Sequence, residues 1–192
     1  MVCGPGTLKT RNSLKRSLIH TNIRFQTRKL TFAPSMIEIF TDGAASGNPG
    51  PGGYGVILRS GKHYKELSGA FRMTTNNRME LLAVIEGLKA IKTPGAQVMV
   101  TSDSKYVIDS IEKKWVFGWA KTGFKGKKNK DLWLQFLNIY KLHQVAFTWI
   151  KGHNLHPENE RCDQLAVAAS KNRAAWQIDY EFEAERNKST LL

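Results

Sequence analysis

Four acidic residues, Asp42, Glu80, Asp103 and Asp163, are the side chains of this 192-residue sequence whose settings point to chemistry. Each falls where a predicted strand or helix begins or ends. Asp42 closes the strand-like run MIEIFTD and precedes the turn-rich GAASGNPGPGG, and Glu80 lies in the first turns of the apolar-periodic NNRMELLAVIEGLKAI. Asp103 ends VMVTSD and opens SKYVIDSI, and Asp163 follows GHNLHPENERC in a helix that runs on as DQLAVAAS. Two strand ends and two helix positions can meet at one edge of a sheet, where open α/β folds place their ligands. Carboxylates gathered there repel one another and hold their protons unless a cation lies between them. Magnesium suits that space, because it prefers oxygen ligands and keeps waters that can react.

A second constellation is basic. Between Lys113 and Lys130 stand seven lysines and no acid, interleaved with Trp115, Phe117, Trp119 and Phe124. Lysines neutralise phosphates and exposed aromatic rings lie against sugars or bases, so the stretch reads as a nucleic-acid grip. The bland reading is an amphipathic helix that uses Trp115 and Trp119, spaced i and i+4, as core. In the loop WIKGHNLHPENE, His153 sits past a strand end and shortly before Asp163, where a charge that changes near neutral pH could move protons. A lone loop histidine is more often simply exposed, as His156 beside it illustrates. Asn48, Asn76 and Asn77 could present amides to a shallow groove, where a 2′-hydroxyl separates RNA from DNA. Asparagines in turns and caps usually serve the backbone instead.

The elements that must position these residues follow a regular order. From Met36 the pattern gives strands over 36 to 42, 53 to 60 and 63 to 71, as an antiparallel meander with a Gly/Pro turn after the first. A helix over 76 to 92 follows, led by the capping residues Thr74, Thr75 and Asn76 and stopped by Pro94 and Gly95. Next come a strand over 97 to 102, helices over 104 to 113, 115 to 120 and 131 to 142, a strand over 145 to 150 and a helix over 158 to 171. The order βββαβαααβα predicts an α/β protein with a mixed five-stranded sheet flanked by helices. Residues 173 to 192 form a tail, with Trp176 and Tyr180, expected to pack loosely or fray.

Length and a 41% apolar content fit one domain with an appendage. No apolar run approaches the roughly 18 residues that a spanning helix requires, which removes membrane function from the expectations. Two cysteines, Cys3 and Cys162, are too few for a disulfide framework and point to a reducing, cytoplasmic setting. The formal charge is +13, and residues 1 to 35 hold seven lysines and arginines without one acid. That segment reads as a disordered basic arm or an upstream extension ahead of a natural start at Met36; organelle targeting is the less favoured third reading.

The stretches IFTDGAASGNPGPGGYGVIL, TTNNRMELLAVIEGLKAI, TSDSKYV and WIKGHNLHPENERCDQLA, in this order over nearly all of residues 36 to 170, together resemble the bacterial type 1 ribonuclease H family. The resemblance implies a catalytic domain over 36 to 172 that hydrolyses the RNA strand of RNA/DNA hybrids, leaving 5′-phosphate and 3′-hydroxyl ends. It implies that Asp42, Glu80, Asp103 and Asp163 hold two Mg²⁺ ions, for which Mn²⁺ can substitute, with Asp42 bridging them. It gives His153 a part in proton transfer or product departure, Asn48, Asn76 and Asn77 contacts in the minor groove, and Thr75 a contact to a phosphate of the DNA strand. Trp115, Trp119, Lys125, Lys127 and Lys128 match the family's basic protrusion, and a monomer is the family expectation. The sequence departs from the family at Ala45, where some members have a groove-contacting cysteine, and at Lys105, often glutamine. Met73 stands where an arginine is expected two residues before Thr75, with Arg72 its neighbour. Two alternatives from the same residues are a hybrid-binding module without cleavage and a DNA-directed nuclease of the same fold. The first would have lost an acid, and the second would lack the asparagine pair and the protrusion.

Overall fold

A computed structural model of the chain describes residues 36–152 and 156–190; the basic segment 1 to 35 and His153 lie outside them. The hydrophobic alternation of the first three strands builds an antiparallel meander of β1 (Ile37–Ala45), β2 (Gly50–Ser60) and β3 (His63–Thr74). The apolar run after it forms α1 (Asn76–Lys89), and β4 (Gln97–Ser102) then returns parallel to β1. Three short helices follow, α2 (Lys105–Glu112), α3 (Trp115–Lys121) and α4 (Lys130–Tyr140), before β5 (Gln144–Trp149) pairs parallel to β4 and α5 (Pro157–Lys171) packs back on the sheet. Through α5 the predicted order of elements is the observed one.

Period-two alternation divides the sheet into two faces. Ile39 and Val56 point into the main core with Met79, Val84, Val100, Val107, Trp133 and Phe136, under α1, α2 and α4. Phe40 and Ile57, their neighbours in sequence, point the other way and meet Cys162 of α5. Burial raises the Cys162 thiol well above its ordinary range, and its Sγ donates to the Phe40 carbonyl oxygen at 3.2 Å, so it serves packing.

The structure corrects three expectations. GAASGNPGPGG is mostly strand: β1 continues to Ala45 and β2 begins at Gly50, so Asp42 lies inside its strand. The glycines signal close packing there more than turning. A Cβ on Gly43 would overlap the α1 backbone at Glu80, and a Cβ on Gly55 would overlap the Cys162 carbonyl of α5. Second, the N-cap residue of α1 is Thr75, but its hydroxyl does not cap; Asn48 supplies the acceptor instead, its Oδ1 taking the Asn76 N–H at 3.3 Å.

Third, the tail is built into the domain. Arg173–Ala175 forms a turn of 3₁₀ helix, β6 (Trp176–Gln177) adds a sixth strand parallel to β3, and α6 (Tyr180–Thr190) follows. The sheet order is β5-β4-β1-β2-β3-β6. Asp179, 7% exposed, anchors this segment. It accepts from Nε and Nη2 of the buried Arg78, each at 2.7 Å, and from the Thr74 hydroxyl at 3.0 Å. Nη1 and Nη2 of Arg78 also reach both oxygens of Asp131 at 2.9 and 2.7 Å. One guanidinium thus ties α1, α4 and the tail, and burying a cation is tolerable because four of its five N–H groups donate to two carboxylates.

Candidate active site

Register and the glycine contacts bring the four acids to one place. The parallel ladder between β1 and β4 ends with Thr41 opposite Ser102, so Asp42 and Asp103 follow side by side at the carboxyl edge of the two strands. Asp42 pairs across the antiparallel ladder with Gly55, against which α5 presses at Cys162, the residue before Asp163. Gly43, next along β1, lets α1 approach at Glu80 itself. Small residues at two strand positions therefore admit two helices, each carrying one carboxylate.

Electrostatics report the convergence. Burial, and then the negative charges of Asp103, Asp163 and Glu80, push the Asp42 carboxyl from an ordinary 3.8 up to about 8, although the Gly43 N–H donates to its Oδ1 at 2.7 Å. Glu80 is also raised, first by burial and then by Asp103, against the hydrogen bonds it receives. Asn76 Nδ2 donates to Glu80 Oε1 at 2.8 Å, and the Ser104 hydroxyl makes a short bond to Oε2. Ser104 is also the N-cap of α2, accepting from the Val107 N–H at 3.2 Å. Asp103 is bordered by Asn159, whose Nδ2 lies 3.4 Å from its Oδ2, and by Gly152, where any Cβ would crowd the same oxygen. Asn159 is 4% exposed, and its buried amide oxygen has no partner among the described residues.

An all-oxygen donor set with excess negative charge and a carboxyl that ordinary pH fails to ionise fits hard divalent cations. Among the described residues, no three Asp, Glu, His or Cys side chains are drawn tightly enough together to hold an ion by protein ligands alone.

The other anticipated residues fall into two groups. Asn48, Thr75 and Asn77 line one cleft with Lys128, whereas Asn76 turns toward Glu80. In the basic stretch, Lys125, Lys127 and Lys128 are exposed, as is Trp115 at 48%. Its other aromatics are not a free stacking surface. Phe124 is buried, Phe117 packs on the core, and the half-buried Trp119 meets Trp133 edge-on at 6.0 Å with Lys127 Nζ 5.2 Å from its ring centre. Trp119 thus serves the core, as the bland reading had it, whereas Trp115, one turn earlier at the start of the helix, is left exposed.

Ser104 and Asn159 escaped the sequence reading. Ser104 could have been found as a capping serine directly after an acid; nothing local marks Asn159, which reaches Asp103 only through the fold.

Residues 34–171 match the family model described as RNase H. That match, on a mixed sheet with helices on both faces and carboxylates gathered beside its parallel strands, makes the chain a nucleic-acid hydrolase of this fold class. The chain belongs to the ribonuclease H family. It is 54% identical over 140 residues to Ribonuclease H of Desulforamulus reducens, covering 70% of this chain and 87% of that one. Among solved structures it resembles LC9-RNase H1, a type 1 RNase H with the type 2 active-site motif, at TM-score 0.65 and 31% identity over 72% of this chain and 74% of that one. It also resembles LC11-RNase H1 in complex with RNA/DNA hybrid, at TM-score 0.53 and 26% identity over 69% and 95% of the two chains.

Proposed function

We propose that this protein is an endoribonuclease that hydrolyses the RNA strand of RNA/DNA hybrids in a divalent-metal-dependent reaction, leaving 5′-phosphate and 3′-hydroxyl ends. The observation that carries the reading is the placement of Asp42 beside Asp103 past the end of the β1–β4 ladder, with α1 pressed on Gly43 at Glu80 and α5 on Gly55 next to Asp163. Family membership supplies the substrate.

In this reading Asp42, Glu80, Asp103 and Asp163 would hold two Mg²⁺ ions, for which Mn²⁺ could substitute. Bound divalent ions supply a more acidic water and neutralise charge building on the phosphoryl oxygens. The chain's own residues do the rest. Ser104 and Asn76 fix the Glu80 carboxylate by hydrogen bonds to both its oxygens, holding its orientation for a ligand. Asn159 donates to one oxygen of Asp103, and Gly152 leaves that oxygen the room a side chain would take. In this reading Asn48, Thr75 and Asn77 contact the groove from one cleft, Asn76 serves Glu80, and Trp115, Lys125, Lys127 and Lys128 extend the contact to the hybrid beyond it. His153 is assigned proton transfer or product departure on the family match alone. The same reading makes the enzyme a monomer of the cytoplasm; among the described residues no helix is long and apolar enough to cross a membrane.

The test is incubation with end-labelled RNA/DNA, RNA/RNA and DNA/DNA duplexes, each with Mg²⁺ and with EDTA. Cutting confined to the RNA of the hybrid, and only with Mg²⁺, is the expected result. Cutting of DNA/DNA would favour the DNA-directed nuclease, and binding of the hybrid without cutting would favour the binding module.

A further inference from the structure

One peptide unit carries two of the four acids. The parallel β4–β5 ladder ends with Ser102 opposite Trp149, and the Ser102 carbonyl accepts from the Ile150 N–H at 3.1 Å. One residue further the chain leaves β4 for α2, so the Asp103–Ser104 peptide lies past the last rung of the sheet. Both of its polar ends are nevertheless taken. The Trp149 indole Nε1 donates to the Asp103 carbonyl at 3.0 Å, and the Ser104 N–H donates to the Ser102 hydroxyl at 3.2 Å. Because the amide is planar, a bond at each end fixes its rotation.

What hangs on that plane is the site itself. On one side is the Asp103 carboxylate. On the other is Ser104, whose hydroxyl bonds Glu80 Oε2 and also caps α2 by accepting from the Val107 N–H. A rotated peptide would shift the Asp103 side chain and the hold on Glu80 in one movement. The two bonds that prevent this differ in their exposure. Ser102 is 1% exposed, whereas Trp149 is 43% exposed and comes from a separate strand, so water competes for the carbonyl that its indole holds. Lys105 bears on that competition. Its Nζ lies over the Trp149 ring, 5.0 Å from the centre, where a cation and an aromatic face attract each other. Lys105 is also one of the positions at which the sequence departs from the family, which often has glutamine there.

We propose that Trp149 is a positioning residue for the divalent ion: through the Asp103–Ser104 peptide it sets Asp103 and Glu80 together, with Lys105 steadying its ring. The inference rests on the metal-dependent reading above. Trp176 supplies a matched control in the tail, since its Nε1 donates to the Ser170 carbonyl at 2.9 Å and the Arg173 guanidinium lies over its ring at 5.7 Å.

The experiment titrates Mg²⁺ alone into wild type, Trp149→Phe, Ser102→Ala, Lys105→Met and Trp176→Phe by isothermal calorimetry. Hybrid cleavage over a range of Mg²⁺ and the melting temperature in EDTA are measured on the same proteins. Trp149→Phe keeps a ring under the cation and loses only the indole N–H. It is expected to weaken Mg²⁺ binding, and to raise the half-activating Mg²⁺ concentration, on the order of tenfold, as loss of an outer partner of a metal ligand does. KM for the hybrid at saturating Mg²⁺ should stay nearly unchanged. Ser102→Ala frees the other end of the same peptide and should shift Mg²⁺ affinity the same way, with the double variant falling short of the product of the two. Lys105→Met should give a smaller shift, about twofold. Trp176→Phe should lose a comparable amount of melting temperature and bind Mg²⁺ as wild type does. Wild-type Mg²⁺ affinity in Trp149→Phe would overturn the proposal, as would a loss of affinity matched by Trp176→Phe, which would make the effect one of general stability. A raised KM with unchanged Mg²⁺ affinity would also overturn it, by making the ring a contact for the hybrid. A wild type that neither binds Mg²⁺ nor cuts hybrid would instead defeat the ribonuclease reading itself.

Discussion

Asp42→Asn should abolish cleavage and, in the absence of divalent ions, make the protein more stable. The fold keeps a proton on Asp42 up to about pH 8, whereas the unfolded chain releases it near 3.8. The native state therefore binds more protons across that window, and stability falls as pH rises from about 4 to about 8 before levelling. At pH 8 the unpaired charge costs about 5 kcal/mol at ~1.4 kcal/mol per pH unit, and roughly half of that once relaxation and water entry are allowed. Asparagine fills the same space without the charge, so Asp42→Asn should gain about 2–4 kcal/mol at pH 8 in EDTA. In a chain of this length that is roughly 5–15 °C in Tm. Urea unfolding followed by tryptophan fluorescence, in EDTA at pH 5.5 and pH 8, measures it. The gain should shrink toward pH 5.5, where the wild-type carboxyl is protonated. Added Mg²⁺ should stabilise the wild type more than the variant. A variant no more stable than wild type at pH 8 in EDTA would refute the reasoning, since it would mean Asp42 is neither desolvated nor crowded by its neighbours.

Three further outcomes follow from the packing and the charge. Arg78→Met leaves Asp131 and Asp179 facing each other without their cation, and should cost about 3–5 kcal/mol in urea unfolding, with part recovered when both acids become asparagine; an unaffected midpoint would show the network to be neutral. Gly55→Ala sets a methyl against the Cys162 carbonyl and should lower stability by about 1–3 kcal/mol while moving α5, and Asp163 with it, so that kcat drops more than in a surface variant of equal stability. Replacing Lys125, Lys127 and Lys128 with Ala should weaken hybrid binding and reduce its salt slope by about 2–3, read by fluorescence anisotropy; an identical slope would remove the protrusion from the interface.

Much of this molecule was open to reading before any coordinates. Apolar periodicity placed every strand and helix of the domain core, and the positions of the four acids at element ends gave a reason to expect them at one sheet edge. Turn chemistry misled where it competed with packing. Gly43 and Gly52 carry the residue type of a loop, yet they lie in β1 and β2, because α1 and the neighbouring strands come too close there for a side chain, a relation between distant segments. The tail was misread for the same kind of reason. WQIDYEFEAER has a weak apolar pattern, and what fixes it is one buried carboxylate, Asp179, meeting an arginine 101 residues earlier in the chain.

The sequence alone determined the chemistry that is possible here: oxygen donors, lysines and amides in numbers and order that suit a divalent ion and a polyanion. Only the tertiary structure decided which of them act together. Charge, capping and periodicity are local properties and can be read in a string of residues, whereas the desolvation of Asp42, the bond from Asn159 to Asp103 and the bond from Trp149 to the Asp103 carbonyl depend on surfaces that do not exist until the chain has folded.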